Sequence, residues 1–274
     1  MDIKAFKMDG LGNDFVIIDT RQKIINLTKE QIIKICDRNF IGCDQLIFIK
    51  KNQTSDAALE FYNSDGGVSG ACGNGTRCVA NLLSKESDKK EIILTTLSGD
   101  LKSQIIDEKL VSTEIGVART RWNEIPLSED LDTNNLKIKL MDLNKNEFFG
   151  GTAVNVGNPH IIFFVDNNEN FEIKKIGPEI ENHSLFPEKC NVTLATIVNR
   201  ELINVRVWER GAGLTKACGT AACATAFAAK QNGLANDKVD IEFSTGRLSI
   251  SIDINNSVHM KGPVSDIKDI NFEI

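Results

Sequence analysis

Apolar and β-branched residues fall in short runs along this chain, with turn residues between them. The runs at Phe15–Ile18, Gln45–Ile49, Ile92–Thr96 and Lys109–Glu114 predict strands, as do those at Ile161–Val165, Thr193–Val198, Asn204–Trp208, Val239–Phe243 and Leu248–Ile252. Two stretches break the pattern. Asn74–Ser84 and Thr220–Gln231 are rich in alanine, free of proline and apolar nearly all round; the second carries Ala221, Ala222, Ala224, Ala226, Phe227, Ala228 and Ala229. A helix apolar on most faces has to be enclosed, so each is expected inside a curled sheet. A further helix at Thr28–Arg38 opens on a Thr cap with Glu and Gln in its first turn, and is expected at the periphery.

The same order is written twice. Residues 71–84 read ACGNGTRCVANLLS and residues 217–230 read ACGTAACATAFAAK. Upstream, Gly12-Asn13 and Gly157-Asn158 each lead into an aromatic and β-branched strand that ends in Asp, at Asp19 and at Asp166. Spacing turns these likenesses into a repeat: Asn13 to Cys72 is 59 residues and Asn158 to Cys218 is 60, while Cys72 to Gly99 is 27 and Cys218 to Gly246 is 28. Three landmarks in register imply two homologous halves, joined near Gly116 to Trp122 where the strand pattern gives way to polar, Pro-containing sequence.

Composition narrows the partners. With 274 residues, 41% of them apolar, the chain can bury a large core. A net charge of −6 without blocks of like charge is a poor match for nucleic acid or an anionic membrane, so a small-molecule partner is expected. No window approaches a spanning helix, and Met1 to Lys7 carries charge where a signal peptide would be apolar; a cytoplasmic protein is the expectation. Seven cysteines, an odd number in a chain large enough to need no staples, are then expected to be reduced thiols.

Cys72 and Cys218 differ from the other five in their place: each stands at a Cys-Gly step immediately before a predicted helix. The first turn of a helix offers unpaired N–H groups and the positive end of the macrodipole, which stabilise a thiolate and bind carboxylate oxygens. A thiol there can fall from about 8.5 to roughly 3.5–7.5, which supplies a base at neutral pH. Gly73, Gly75 and Gly219 allow close approach of a ligand to the backbone. Two such thiols, one per half, suit inversion of a stereocentre: a thiolate removes a proton from one face and a thiol delivers one to the other. Without an electron-sink cofactor, the negative charge that develops on an amino acid's carboxylate would be met by helix-start N–H groups. A zinc site is disfavoured, because no CxxC exists and His160, His183 and His259 are scattered; a Cys72–Cys218 disulfide would be an oxidised, inactive form. Cys36, Cys43, Cys78, Cys190 and Cys223 read as small buried hydrophobes. Gly10-Leu11-Gly12 and Gly73-Asn74-Gly75 lack both GxGxxG and a Walker lysine.

Asn63-Ser64-Asp65-Gly66 followed by Cys72-Gly73-Asn74-Gly75-Thr76-Arg77, and Glu209-Arg210-Gly211-Ala212-Gly213 followed by Ala217-Cys218-Gly219-Thr220, resemble diaminopimelate epimerases. The opening Gly10-Leu11-Gly12-Asn13-Asp14-Phe15 and the middle Gly157-Asn158-Pro159-His160 are similar to the same family. Proline racemases share the two-cysteine plan but have Cys-Gly-His where this chain has Cys-Gly-Asn. The resemblance implies an α/β fold of two pseudo-symmetric halves, each a curled mixed sheet around a central helix, with the active site between them. It divides the chain into 1–117 with 262–274, and 118–261. It implies an isomerase without cofactor or metal that interconverts LL- and meso-diaminopimelate for lysine and peptidoglycan precursors, commonly as a homodimer. By matching motif, Cys72 and Cys218 are the two acid/base residues, and His160 and Glu209 would lie beside the thiols and help set their protonation. Asn13, Gln45, Asn63, Gly73, Asn74, Asn158, Asn191, Glu209, Arg210, Gly219 and Thr220 would line the substrate. Arg210 suits a distal carboxylate, and Glu209, Asn63, Asn158 and Asn191 suit an ammonium. The loop Asp65 to Gly70 departs from the family in lacking a second carboxylate, and Ala221 stands where Gly is common. The other readings are another isomerase on the same fold and a binding protein that keeps the duplicated site.

Overall fold

A computed structural model describes residues 1–274. Residues Met1–Glu114 with Lys261–Ile274 form one compact unit, and Ile115–Met260 form a second.

The first unit contains strands β1 (Asp2–Gly10) and β2 (Asn13–Asp19), helix α1 (Lys29–Cys36), strands β3 (Gln45–Lys50), β4 (Ala57–Asn63) and β5 (Val68–Ser69), helix α2 (Gly73–Ser87), and strands β6 (Glu91–Thr96), β7 (Gly99–Asp107) and β8 (Leu110–Val117), the last running to the boundary. The second contains β9 (Ile138–Met141), β10 (Glu147–Gly150), β11 (Thr152–Asn155), β12 (Pro159–Phe164), α3 (Ile173–Glu181), β13 (Asn191–Asn199), β14 (Leu202–Glu209), β15 (Gly213–Thr215), α4 (Gly219–Gln231), β16 (Lys238–Phe243) and β17 (Gly246–Ile252); β18 (Ser257–Pro263) begins in it and crosses the boundary after Met260. Strand β19 (Lys268–Glu273) pairs antiparallel with β1 of the first unit.

The repeat seen in the sequence is a repeat of ladders. In the first unit β1–β2 is antiparallel, β2–β3 parallel, β3–β4 antiparallel, β4–β6 parallel and β6–β7 antiparallel. In the second, β11–β12, β12–β13, β13–β14, β14–β16 and β16–β17 follow the same alternation. Each parallel step needs a crossover, and helices supply it: α1 and α3 for the first step, α2 and α4 for the second.

The two alanine-rich segments are enclosed, as their all-round apolarity predicts. Helix α4 touches β11, β12, β13, β16 and β17 of its unit, and its residues from Ala221 to Ala229 are buried without a break. Helix α2 packs on β1, β2, β6 and β7. It is less uniform, since Asn74, Thr76, Arg77 and Asn81 are buried among its apolar residues. Its first turn lies so close to the sheet that a Cβ on Gly75 would fall 2.7 Å from Ile47 and 2.9 Å from Phe61. Peripheral α1 is held by Thr28 through a capping box with Gln31 and buries Ile32, Ile35 and Cys36 against a cluster that includes Val16, Leu46 and Phe272. No helix is long and apolar enough to cross a membrane.

Candidate active site

Cys72 and Cys218 are the N-cap residues of α2 and α4, with nearly the same backbone angles: φ −143°, ψ 110° at the first and φ −139°, ψ 116° at the second. Each carbonyl accepts the first intrahelical hydrogen bond, from Thr76 N at 2.8 Å and from Ala222 N at 3.0 Å. Neither side chain makes a full capping hydrogen bond, and the first-turn N–H groups of Gly73, Asn74 and Gly75, and of Gly219 and Thr220, lack backbone acceptors within the helix. Two electropositive helix starts each carry a sulfur.

Around half-buried Cys72 the structure gathers Asn13 and Asn74. The thiol donates to Asn13 Oδ1 at 3.6 Å, and Asn74 Nδ2 donates to the same oxygen at 3.4 Å. Gln45, at the start of β3, faces Asn63, at the end of β4, and donates to its Oδ1 through Nε2 at 2.8 Å. The other ends, Gln45 Oε1 and Asn74 Oδ1, are buried without a hydrogen-bond partner.

The repeat places different chemistry around Cys218, which is buried. Its sulfur lies 3.5 Å from Thr220 Oγ1, and the Glu209 carboxylate at the end of β14 acts on it. Burial pushes this thiol well above the ordinary range and Glu209 pushes it the same way, while the Thr220 hydroxyl and the Ala221 N–H pull it down. Asn191 opens β13 and faces two ways: Oδ1 accepts Arg210 N at 3.0 Å, and Nδ2 donates to Pro159 O at 3.1 Å. Arg210 itself is exposed, its Nη1 donating to Glu188 O at 2.8 Å.

His160, fully buried in β12, donates through Nε2 to Asn158 Oδ1 at 2.8 Å, because an amide oxygen can only accept. Its Nδ1 is buried without a partner. Burial, reinforced by the charge of Arg210, holds the imidazole at about 3, so it is neutral in the physiological range. The structure thus brings Asn13, Gly73 and Asn74 to Cys72, Gln45 to Asn63, Glu209, Gly219 and Thr220 to Cys218, and Asn158 to His160. No group of three or more His, Cys, Asp and Glu side chains is arranged to hold a metal ion, and none of the seven cysteines forms a disulfide.

Two supporting carboxylates were not singled out from the sequence. Glu181 of α3, nearly buried, accepts Trp208 Nε1 at 2.7 Å and Gly211 N at 3.1 Å, and so fixes the turn that carries Glu209 and Arg210. Trp208 in turn packs against Gly177, where a Cβ would fall 2.4 Å from its ring. Asp44, the residue before Gln45, accepts Asn13 Nδ2 at 3.1 Å. The signal available for Asp44 was its neighbour; for Glu181 there was none, because its partners are distant in sequence.

A family model described as diaminopimelate epimerase matches residues 5–120 and 152–267. A protein named diaminopimelate epimerase from Pelagibacter ubique (strain HTCC1062) is 69% identical over 274 residues, covering 100% of both chains. One of the same name from Phenylobacterium zucineum (strain HLK1) is 44% identical over 260 residues, covering 94% of each. Among solved structures, a phenazine biosynthesis protein of the PhzF family from Bacillus anthracis has a TM-score of 0.70 at 15% identity, covering 100% of both chains. A hydroxyproline epimerase from Agrobacterium vitis has a TM-score of 0.68 at 12% identity, covering 98% of this chain and 91% of that one. At those identities the two structures speak for the α/β fold alone.

Proposed function

Because the chain belongs to the diaminopimelate epimerase family, we propose that it interconverts LL- and meso-2,6-diaminopimelate by two-base proton transfer at one α-carbon. It is an isomerase. The observation that carries the mechanism is the matched pair of N-cap cysteines at repeat-equivalent positions. A thiolate takes the α-proton, so that a C–H bond breaks as an S–H bond forms, and the electron pair spreads into the substrate carboxylate. Helix-start N–H groups stabilise that charge. The other thiol then gives its proton to the opposite face and becomes the thiolate; the reverse reaction starts from that state.

The remaining residues divide by chemistry. Gly73, Asn74, Gly219 and Thr220 supply amides to the reacting carboxylate. Asn13, Gln45, Asn63, Asn158 and Asn191 offer amide groups, Arg210 a guanidinium for the distal carboxylate, and Glu209 a carboxylate that keeps the proton on Cys218 until it is needed. Neutral His160 acts by holding Asn158 rather than by carrying a proton. We place the enzyme in the cytoplasm, where a zwitterionic substrate is dissolved, and, from the family resemblance, as a homodimer supplying precursors of lysine and peptidoglycan.

Incubating the purified protein with LL-diaminopimelate in deuterium oxide, with no cofactor added, tests this reading. Deuterium is expected at the α-carbon of the meso product; absence of both exchange and conversion overturns it.

A further inference from the structure

The amide of Asn13 is held at both ends. Its Nδ2 donates to Asp44 Oδ2 at 3.1 Å, while its Oδ1 receives the Cys72 thiol at 3.6 Å and Asn74 Nδ2 at 3.4 Å. Partners decide which end of an amide is oxygen, and a carboxylate can only accept. Asp44 therefore selects the NH2 end of Asn13 and leaves the carbonyl for Cys72. Asp44 is itself fixed: Oδ2 also accepts Asp14 N at 3.1 Å, Oδ1 accepts Arg38 Nη2 at 2.6 Å, and its backbone N donates to Asp14 Oδ1 at 3.1 Å.

The second unit has no such device. Cys72 to Cys218 and Gln45 to Asn191 are each 146 residues apart, and the same step from Asp44 reaches Cys190, which is fully buried and bonded to Ile180 O. There the amide of Asn158 is turned by His160, which occupies its oxygen.

We propose that Asp44 is a positioning residue that fixes the Asn13 amide with its carbonyl oxygen toward Cys72, so that the ionisation of this thiol is set against an acceptor oxygen rather than an N–H donor. An acceptor oxygen at the sulfur favours the thiol, whereas an amide turned end for end would present N–H and favour the thiolate. On α2, Cys78 feels the charges of Cys72 and Arg77, and Asp9 on β1 acts on it as well, whereas the Asn13 amide is bonded to Asp44, Cys72 and Asn74. The inference takes from the functional reading only that Cys72 is an acid and base.

The test is alkylation of the full-length protein by iodoacetamide as a function of pH, with Cys72 and Cys218 followed separately by mass spectrometry. Moderate salt, about 0.5 M, screens the loss of charge at half-exposed Asp44. In Asp44→Ala the Cys72 midpoint is expected to fall by ~0.5 pH unit or more, about a threefold faster reaction below the midpoint, with Cys218 unmoved. Asp44→Asn keeps one acceptor oxygen, so a smaller fall is expected and a near-isosteric side chain protects the fold. Asp14→Asn removes an equal charge without touching the amide and should leave Cys72 as it was. A Cys72 midpoint that stays put or rises in both Asp44 variants overturns the proposal, as does an equal fall in Asp14→Asn or an equal shift at Cys218. No substrate is used, so a protein without epimerase activity would still answer the question about Asp44.

Discussion

The two thiols share a backbone and differ in everything around it. Cys72 is half-buried and faces amide groups; Cys218 is buried and faces a hydroxyl and a carboxylate. Duplication thus preserved the part of the site that fold geometry makes, the helix start with its N–H groups, and let the part made by side chains diverge. The proposed reaction has room for that divergence. LL- and meso-diaminopimelate are diastereomers, so the two proton transfers are not mirror images and the two bases need not match in strength.

Removing either thiol should have the largest effect. Cys72→Ala and Cys218→Ala are each expected to lose epimerisation by about 10³-fold or more, in the upper range for general acid–base catalysis. The sharper readout is isotope exchange: each variant keeps one base, so slow deuterium uptake should survive for one diastereomer in Cys72→Ala and for the other in Cys218→Ala. Uptake confined to the same diastereomer in both would contradict a division of labour between the thiols.

A smaller effect probes the helix starts themselves. Gly75 and Ala221 are repeat equivalents, but only the first is pressed against Ile47 and Phe61. Gly75→Ala is expected to cost about 1–3 kcal/mol by overpacking. Ala221→Gly should cost about 1 kcal/mol through helix propensity. Denaturant melts measure both, and a Gly75→Ala variant as stable as the parent would mean that Ile47 and Phe61 give way to the added methyl group.

The smallest expected effect concerns charge. Glu209 raises the Cys218 thiol, so Glu209→Gln should lower its alkylation midpoint and leave that of Cys72 in place. The sign follows from the carboxylate: a neighbouring negative charge opposes thiolate formation, and a neutral amide does not. A midpoint that rises or stays fixed would remove Glu209 from the environment of Cys218.

The sequence carried the duplication, the enclosed helices and the cysteine pair because each is written in local pattern: apolar runs, alanine content and fixed spacing. Helix α3 is hard to read because Gly177 and Pro178 fall in its middle and read as breakers; it is held by the buried face of Ile173, Ile176 and Ile180, and a side chain at Gly177 would run into Trp208. Strand β1 was hidden by its charges. Ile3 and Ala5 are buried on the side of α1 and Met8 on the side of α2, between exposed Asp2 and Lys4 and half-exposed Lys7, so the strand looks polar when read residue by residue. Asp44 and Glu181 were out of reach for another reason, since a positioning residue is defined by what it holds and not by its own type.

The six alanines within α4 have a consequence for how such a site can drift. Methyl side chains let five strands close in on the helix axis, so the helix works as a thin spindle whose diameter sets the girth of its unit. Cys218 rides on the tip of that spindle. Any thicker residue along the shaft must push a strand outward or tilt the axis, and either movement reaches the sulfur. The placement of a reactive atom at the end of the helix is in this way governed by how little volume the rest of the helix takes up.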